Sequence, residues 1–358
     1  MITITKTFLP PLEEYYSYLK GIWDRNQVTN HGPLVSDLEK KLRDYFQVKH
    51  LFLVTNGTIG LQIAIKAAHL KGEVLTTPFS YVATTSSIAW QGCVPVFVDI
   101  DPDTWNIDTR KIESHMSSKT SAIVATHVFG NPCDVEALES LAAQYKLTLI
   151  YDAAHCFGIT YRGRSVLSFG NIAVLSLHAT KLFHTIEGGA IITNDDETAH
   201  IISYMRNFGH DGEERFFGLG INGKMSEMHA AMGLCILPKL PSLISRRKKI
   251  TKLYESLLDN APLGKQRMSK GTEYNYSYLP RIFQSERQML KVRDALRAMD
   301  IHARRYFYPS LNRLYYTARQ QMPIAEDIAK RILCLPIHHD LSDEQVYTIA
   351  KIVKSKLV

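Results

Sequence analysis

Apolar residues gather in short unbroken runs, at 51–54, 74–77, 94–100, 122–128, 147–151, 172–177 and 190–193. A run without alternation suits a strand buried on both faces, and seven of them interleaved with helices predict a mostly parallel sheet covered on each side. Between the runs the rhythm changes. Segment 135–145 places Leu138, Leu141 and Ala142 at i, i+3 and i+4, and segment 59–68 is apolar in the same helical pattern. Beyond Pro238 and Pro241 the texture turns to charged amphipathic helices at 248–258 and 286–299, with fewer strands. Ser342-Asp343-Glu344-Gln345 then opens a final helix as a capping box, ahead of Val346, Ile349, Ile352 and Val353. The organisation expected is a large α/β unit over residues 1–238 and a smaller C-terminal α+β unit over 239–358.

A length of 358 residues agrees with that division, since a single domain averages about 150. With 45% hydrophobic and 22% charged residues the chain has enough apolar surface for a substantial core, which excludes a disordered protein. Lys and Arg number 42 against 35 Asp and Glu, a net charge of +7 that admits nucleic acid, an anionic membrane or a phosphorylated small molecule as partner. The charges are scattered, however. The densest run, Arg246-Arg247-Lys248-Lys249, precedes Tyr254, Leu257 and Leu258 at helical spacing and is expected to be a solvated helix face. No nucleic-acid motif accompanies it. The 5 cysteines are odd in number and never spaced C-x-x-C, which argues against a disulfide framework and a zinc site and favours a reducing compartment. The first residues reach Glu13 and Glu14 without an apolar core of a signal peptide, and the uncharged stretch 74–98 is too rich in Ser and Thr to span a bilayer. A cytoplasmic protein without membrane association is expected.

Three segments fall where strands should end, which is where open α/β sheets hold ligands. Thr55-Asn56-Gly57-Thr58 joins a strand to a helix, and the free N–H groups of a helix N-terminus with a glycine beside them suit a phosphate, although a plain strand-to-helix turn has the same pattern. Asp152 directly follows an apolar strand, where a carboxylate needs a cationic or hydrogen-bonding partner. A protonated pyridine nitrogen meets that need, and so does a helix cap. Lys181, in Ser176-Leu177-His178-Ala179-Thr180-Lys181, precedes Glu187-Gly188-Gly189. Desolvation there would turn its ammonium into a nucleophilic amine, whereas a surface position would leave it an ordinary lysine. Together they supply what pyridoxal 5'-phosphate requires: a phosphate cradle, an anion for the ring nitrogen and an amine for a Schiff base.

Over nearly its whole length the sequence resembles the sugar aminotransferases of the DegT/DnrJ/StrS group, within the fold-type-I pyridoxal-phosphate enzymes. The resemblance rests on Gly32-Pro33, Asn56-Gly57-Thr58, Pro78-Phe79-Ser80-Tyr81-Val82-Ala83-Thr84, Val98-Asp99-Ile100 and Asp152-Ala153-Ala154-His155. It continues through 176–181, Glu187-Gly188-Gly189 and the segment 220–227. It implies that Lys181 is the Schiff-base lysine and Asp152 the partner of the ring nitrogen. Gly57, Thr58 and Ser176 match phosphate-binding positions, Tyr81 the aromatic stacked on the ring, and Asn222 a residue that reaches the cofactor phosphate from a neighbouring subunit. A homodimer with its active site at the subunit interface is therefore expected. Position 155, usually Gln in this group and in contact with the ring hydroxyl, is His155, so its protonation is expected to vary with pH. Tyr308-Pro309-Ser310-Leu311-Asn312 lacks the His that many members carry at its end.

Related dehydratases replace the lysine with His, so Lys181 favours transamination. The resemblance implies L-glutamate as donor and a nucleotide-linked keto-sugar as acceptor, specifically dTDP-4-keto-6-deoxy-D-glucose going to dTDP-4-amino-4,6-dideoxy-D-glucose for O-antigen or a similar surface polysaccharide. Lys224, His178, His184 and Tyr308 are candidate substrate contacts, none of them suggests a metal site, and Arg206 suits a structural role as well as a catalytic one. A C3-aminotransferase acting on a dTDP-3-keto-6-deoxyhexose would carry the same cofactor residues. A non-catalytic regulatory or nucleic-acid-binding protein predicts loss of the lysine or a clustered basic motif, and the sequence shows neither.

Overall fold

The structure is a computed structural model and describes residues 1–357. All seven expected strands form, as β1 (His50–Val54), β2 (Glu73–Thr76), β3 (Val94–Phe97), β4 (Thr120–Thr126), β5 (Thr148–Asp152), β6 (Ile172–Ser176) and β7 (Gly189–Thr193). They lie side by side in the order β1-β7-β6-β5-β4-β2-β3. β7 runs antiparallel to both β1 and β6, and the remaining pairings are parallel. Successive side chains go to opposite faces. Leu149 and Tyr151 join a cluster with Leu38, Leu138 and Leu234, while Ile150 joins Ile63, Ala64 and Ile202 on the other side. Both faces are dry, which is why the strands read as unbroken apolar runs.

The helices are α1 (Leu12–Arg25), α2 (Pro33–Phe46), α3 (Gly57–Ala67), α4 (Val82–Trp90), α5 (Val135–Tyr145), α6 (Asp196–Met205), α7 (Glu227–Ile236), α8 (Leu240–Leu257), α9 (Glu286–Ala298), α10 (Pro323–Arg331) and α11 (Asp343–Ser355). α3 begins two residues before the apolar pattern because the Asn56 side chain accepts the Ile59 N–H at 2.8 Å. α11 carries the expected capping box between Ser342 and Gln345. A separate cluster in the C-terminal part joins Ile250 and Tyr254 of α8 to Val292, Leu296, Ile349 and Val353. α8 is continuous between the two cores, since its Leu240 and Leu243 pack with the sheet. The basic run on α8 is not wholly solvated. Arg247 falls between Leu243 and Ile250 on the inward stripe, is buried, and donates to the carbonyls of Ser277 and Ile337. Residues Ile2–Thr3 pair with Ile301–His302, so the first residues lie on the C-terminal part and not on the large unit assigned to them. The stretch Glu227–Leu257 is long and apolar enough to cross a membrane, but half of its apolar window is buried inside the fold.

The two parts share an apolar cluster that joins Phe79, Phe97 and Phe129 to Phe307, Leu311 and Ala325, and one buried carboxylate adds a polar tie. Asp99, just after β3, accepts the N–H groups of Ile324 at 3.0 Å and Ala325 at 3.0 Å, the first turn of α10, and that of Ile100 at 2.9 Å. α10 has no side-chain cap of its own, so this anion satisfies its N-terminus from across the cleft. Asp99→Ala is expected to lower the unfolding free energy by about 2–3 kcal/mol, read as a drop in urea midpoint. An unchanged midpoint would show that the cap contributes nothing.

Candidate active site

The C-terminal ends of the parallel strands open into a cleft of about 510 Å³ lined by residues including Gly57, Thr58, Tyr81, Asp152, His155, Ser176, His178 and Lys181. Asp152 is the last residue of β5 and is buried. Its Oδ1 accepts the Ala154 N–H at 3.1 Å and its Oδ2 the Thr84 hydroxyl at 2.6 Å. Each hydroxyl has one proton, so Thr84 must itself accept from Ser80, 2.7 Å away, and Ser80 accepts from Thr126 at 3.0 Å. Three buried hydroxyls thus point their protons toward one carboxylate, an arrangement that strengthens cooperatively. Burial still raises the Asp152 pKa above the ordinary carboxylate range, against the opposing effects of Thr84, the Ala154 N–H and Lys181. No cation stands within ion-pairing distance of it among the described residues.

Lys181 lies beyond β6 on a turn closed by its own N–H to the His178 carbonyl at 2.8 Å. Its ammonium donates to the Tyr278 hydroxyl at 3.2 Å. Burial pushes its pKa down, and the nearby Tyr306 and Asp152 partly offset this. On the other side of the cleft, the N-terminus of α3 leaves the Gly57 and Thr58 N–H groups without intrahelical acceptors. The backbone there is tightly packed. A Cβ on Gly57 would meet Ser176 Cβ at 3.2 Å, and one on Gly189 would meet the Gly57 nitrogen at 2.7 Å. Glycine at both positions lets β7, Ser176 and the helix start approach one another closely.

His155 is buried against Tyr278, with ring centroids 4.6 Å apart. Its Nδ1 accepts the Phe129 N–H at 3.2 Å, so the ring proton resides on Nε2. Burial, reinforced by Lys181, holds its pKa well below the usual histidine value. Burial thus opposes protonation of His155, and the Phe129 N–H keeps Nδ1 an acceptor, which leaves Nε2 as the ring's donor.

Several expected residues stand apart from the cleft. His184 is fully buried, with Nε2 2.7 Å from the Phe8 carbonyl oxygen and Nδ1 accepting the Ile186 N–H, so both ring nitrogens are occupied and it cannot contact a sugar. Tyr308 is half exposed under the Arg305 guanidinium, 3.5 Å from its ring centroid, and does not line the cleft. Asn222 is exposed and bridged to Asn207, and Lys224 sits over the Phe208 ring at 4.4 Å. Neither lines its own chain's cleft. Arg206 is structural, paired with the buried Glu39 and donating to the Leu53 carbonyl at 3.0 Å. Sequence reasoning missed Thr84 as a partner of Asp152, and missed Tyr278, Arg304 and Tyr306, which the C-terminal part brings to the cleft. Arg304 lies 4.6 Å from the Tyr306 ring centroid and pairs with no carboxylate among the described residues.

The sequence profile of the DegT/DnrJ/EryC1/StrS aminotransferases matches residues 12–354. The chain belongs to that family. It is 41% identical to the dTDP-4-amino-4,6-dideoxy-D-glucose transaminase of Shigella dysenteriae, over 99% of this chain and 98% of that one. The GDP-perosamine synthase of Escherichia coli O157:H7 is 31% identical over 93% of each chain. Among solved structures, DesI in the presence of its TDP-sugar product superposes with a TM-score of 0.94 at 32% identity, covering 99% of this chain and 93% of that one. The protein is a fold-type-I nucleotide-sugar aminotransferase, and its cofactor is pyridoxal phosphate. The site suits that group on its own terms: a buried carboxylate without a cation, an anion cradle at a helix start and a desolvated amine share one cleft.

Two outcomes follow. Thr84→Val should weaken binding of pyridoxal phosphate to the apo-protein about tenfold, measured by absorbance titration, and Thr84→Ser should restore it; equal affinity in the Val variant would remove Thr84 from the site. Burial also holds His127 down to about 3 and His338 to about 4. The unfolded chain takes up protons at these histidines and at His155 near pH 6.5 while the fold does not. Unfolding free energy should therefore fall as pH drops from about 6.5 to 5, by up to about 1.4 kcal/mol per pH unit per histidine. Constant stability in urea titrations across that window would contradict it.

Proposed function

We propose that the protein transfers the amino group of L-glutamate to dTDP-4-keto-6-deoxy-D-glucose, giving dTDP-4-amino-4,6-dideoxy-D-glucose. The setting is cytoplasmic synthesis of O-antigen or a similar surface polysaccharide. The observation that carries this reading is the 41% identity, along nearly the full length of both chains, to a transaminase whose name specifies that sugar. The division of the chain near residue 238 fits it, with the smaller part covering a cleft on the larger.

Bound pyridoxal phosphate supplies an electrophilic carbon and an electron sink. Asp152 would keep its ring nitrogen protonated, with the relay from Thr126 through Ser80 and Thr84 aiming the carboxylate. Gly57, Thr58 and Ser176 would hold the phosphate, Tyr81 would cover the ring, and Nε2 of His155 would serve the ring hydroxyl. Lys181 would hold the cofactor through its amine and, when free, would act as the general base and acid of the proton transfer. Tyr278 orients the Lys181 nitrogen in its free state. Arg304 is a cation open to the cleft, and we assign it the donor's α-carboxylate. Asn222 and Lys224 do not line their own cleft, which suits residues that complete the site of a second copy in a homodimer, Asn222 at the phosphate and Lys224 at the nucleotide diphosphate. His178 borders the cleft beside Glu187, which suits a contact with the sugar.

Incubation with glutamate and the keto-sugar should give a product whose new amine NMR locates on the fourth sugar carbon; an amine on the third would overturn the assignment. Lys181→Ala should lose at least roughly 10²–10⁴-fold in rate. Arg304→Gln should raise KM for glutamate and for glutamine alike by about 10–100-fold with the nucleotide-sugar KM unchanged. A KM for glutamate equal to that of the wild type would remove Arg304 from the donor site.

A further inference from the structure

Lys181 belongs to a closed loop. Leu177 donates its N–H to the Gly188 carbonyl at 2.8 Å and accepts the Thr185 N–H at 2.9 Å, so the chain leaves the sheet and returns to it at one point. Leu182 and Phe183 seat this loop in the core, where the Phe183 ring stacks on Phe157 with centroids 4.2 Å apart. Its polar ties to distant segments are few. Apart from the bond that Lys181 itself makes to Tyr278, the hydrogen bonds that join 178–186 to distant parts of the chain, among the described residues, all come from Thr7 and Phe8. The Thr7 hydroxyl donates to the Ala179 carbonyl at 3.0 Å, just before the lysine, and the buried His184 donates from Nε2 to the Phe8 carbonyl, just after it. Nδ1 of His184 accepts the N–H of Ile186. Ile186 has a φ of 68°, a left-handed conformation that a β-branched residue keeps only where its surroundings hold it.

From the lysine loop, residues 2–8 run to the C-terminal part. Ile2–Thr3 pair with Ile301–His302, the Ile4 carbonyl accepts the Ile337 N–H at 3.1 Å, Lys6 pairs with Asp340, and the Phe8 and His339 rings meet edge to face with centroids 5.2 Å apart. His302 leads directly to Arg304 and Tyr306, which line the cleft. One short strap of chain therefore grips the turn of Lys181 at one end and the strand that leads to Arg304 at the other.

We propose that Thr7 and His184 are positioning residues for Lys181: through residues 2–8 they fix the lysine-bearing loop relative to the C-terminal part and so set where the amine stands. Neither side chain lines the cleft, so each acts only through that loop. A displacement of about 1 Å is enough to slow attack by a positioned group strongly, while the phosphate cradle at α3 and Ser176 stays as it was. The proposal rests on the reading of Lys181 as the amine that holds the cofactor.

The test mixes pyridoxal phosphate with the apo-protein and follows by absorbance the condensation of the Lys181 amine with the cofactor aldehyde, which forms a C=N bond and releases water. Varying the cofactor concentration separates the half-saturating concentration, set by the cradle, from the limiting rate, set by the amine. Thr7→Val and His184→Leu are each expected to lower the limiting rate about tenfold with the half-saturating concentration unchanged. Thr7→Ser should restore it, as should His184→Gln, whose amide still donates to the Phe8 carbonyl. Thr7 is only partly buried, so Thr7→Val decides the matter if His184→Leu does not fold. A wild-type limiting rate in Thr7→Val would overturn the proposal, and so would a raised half-saturating concentration at an unchanged rate. A borohydride mark on a lysine other than Lys181 in the wild-type protein would overturn it through the reading it rests on. A mark on Lys181 with wild-type rates in both variants would overturn the positioning role alone.

Discussion

A carboxylate buried at the end of a central strand without a counter-ion is the constraint on which the rest of this site depends. Asp152 is buried, and among the described residues its hydrogen-bond partners are one backbone N–H and one hydroxyl. Those donors do not cancel the cost of burial, which still raises its pKa. A cation arriving from outside would stabilise the anion further, and a protonated ring nitrogen is such a cation. The same burial that leaves Asp152 in need of a partner lowers the pKa of Lys181 and of His155. Burial at one cleft floor therefore disfavours the charged form of all three groups.

The fold provides that floor by simple means. Parallel strands end together, so Thr126, Asp152 and Ser176 come to one edge, although they are far apart in the chain. The reversal of β7 brings Gly189 against the Asn56-Gly57 turn, which closes the anion cradle. The apolar cluster of Phe79, Phe97 and Phe129 with Phe307 and Leu311, together with the cap that Asp99 gives to α10, packs the C-terminal part against the sheet, and Tyr278, Arg304 and Tyr306 reach the cleft from it. Geometry that is distant in sequence is thus made local by strand ends and by one buried cap.

How much of this was legible in the chain follows from where each signal is stored. The seven strands were readable because burial on both faces demands unbroken apolar runs, and α11 because its capping box is contained in four residues. Boundaries shifted where a polar side chain acts in place of an apolar one: Asp152 closes β5, and Asn56 starts α3 before its apolar pattern. Lys181, Asp152 and Gly57 stood out because each interrupts or follows an apolar strand. Tyr278, Arg304 and Tyr306 gave no such sign, since their roles come from packing of the C-terminal part against the sheet. His184 misled for the opposite reason. Close to Lys181 in sequence, it is turned into the core, where the backbone of Phe8 and Ile186 occupies both of its nitrogens. Thr84 lay within a quoted motif, yet its partner is on another strand and no local pattern connects the two.

The central claim is that the desolvated amine of Lys181, opposite Asp152, is where pyridoxal phosphate is held. Borohydride reduction of the purified protein, followed by peptide mass mapping, addresses it directly. The account predicts a single phosphopyridoxyl mass on the peptide that contains Lys181. A mark on any other lysine, or no mark on a protein supplied with the cofactor, would contradict it.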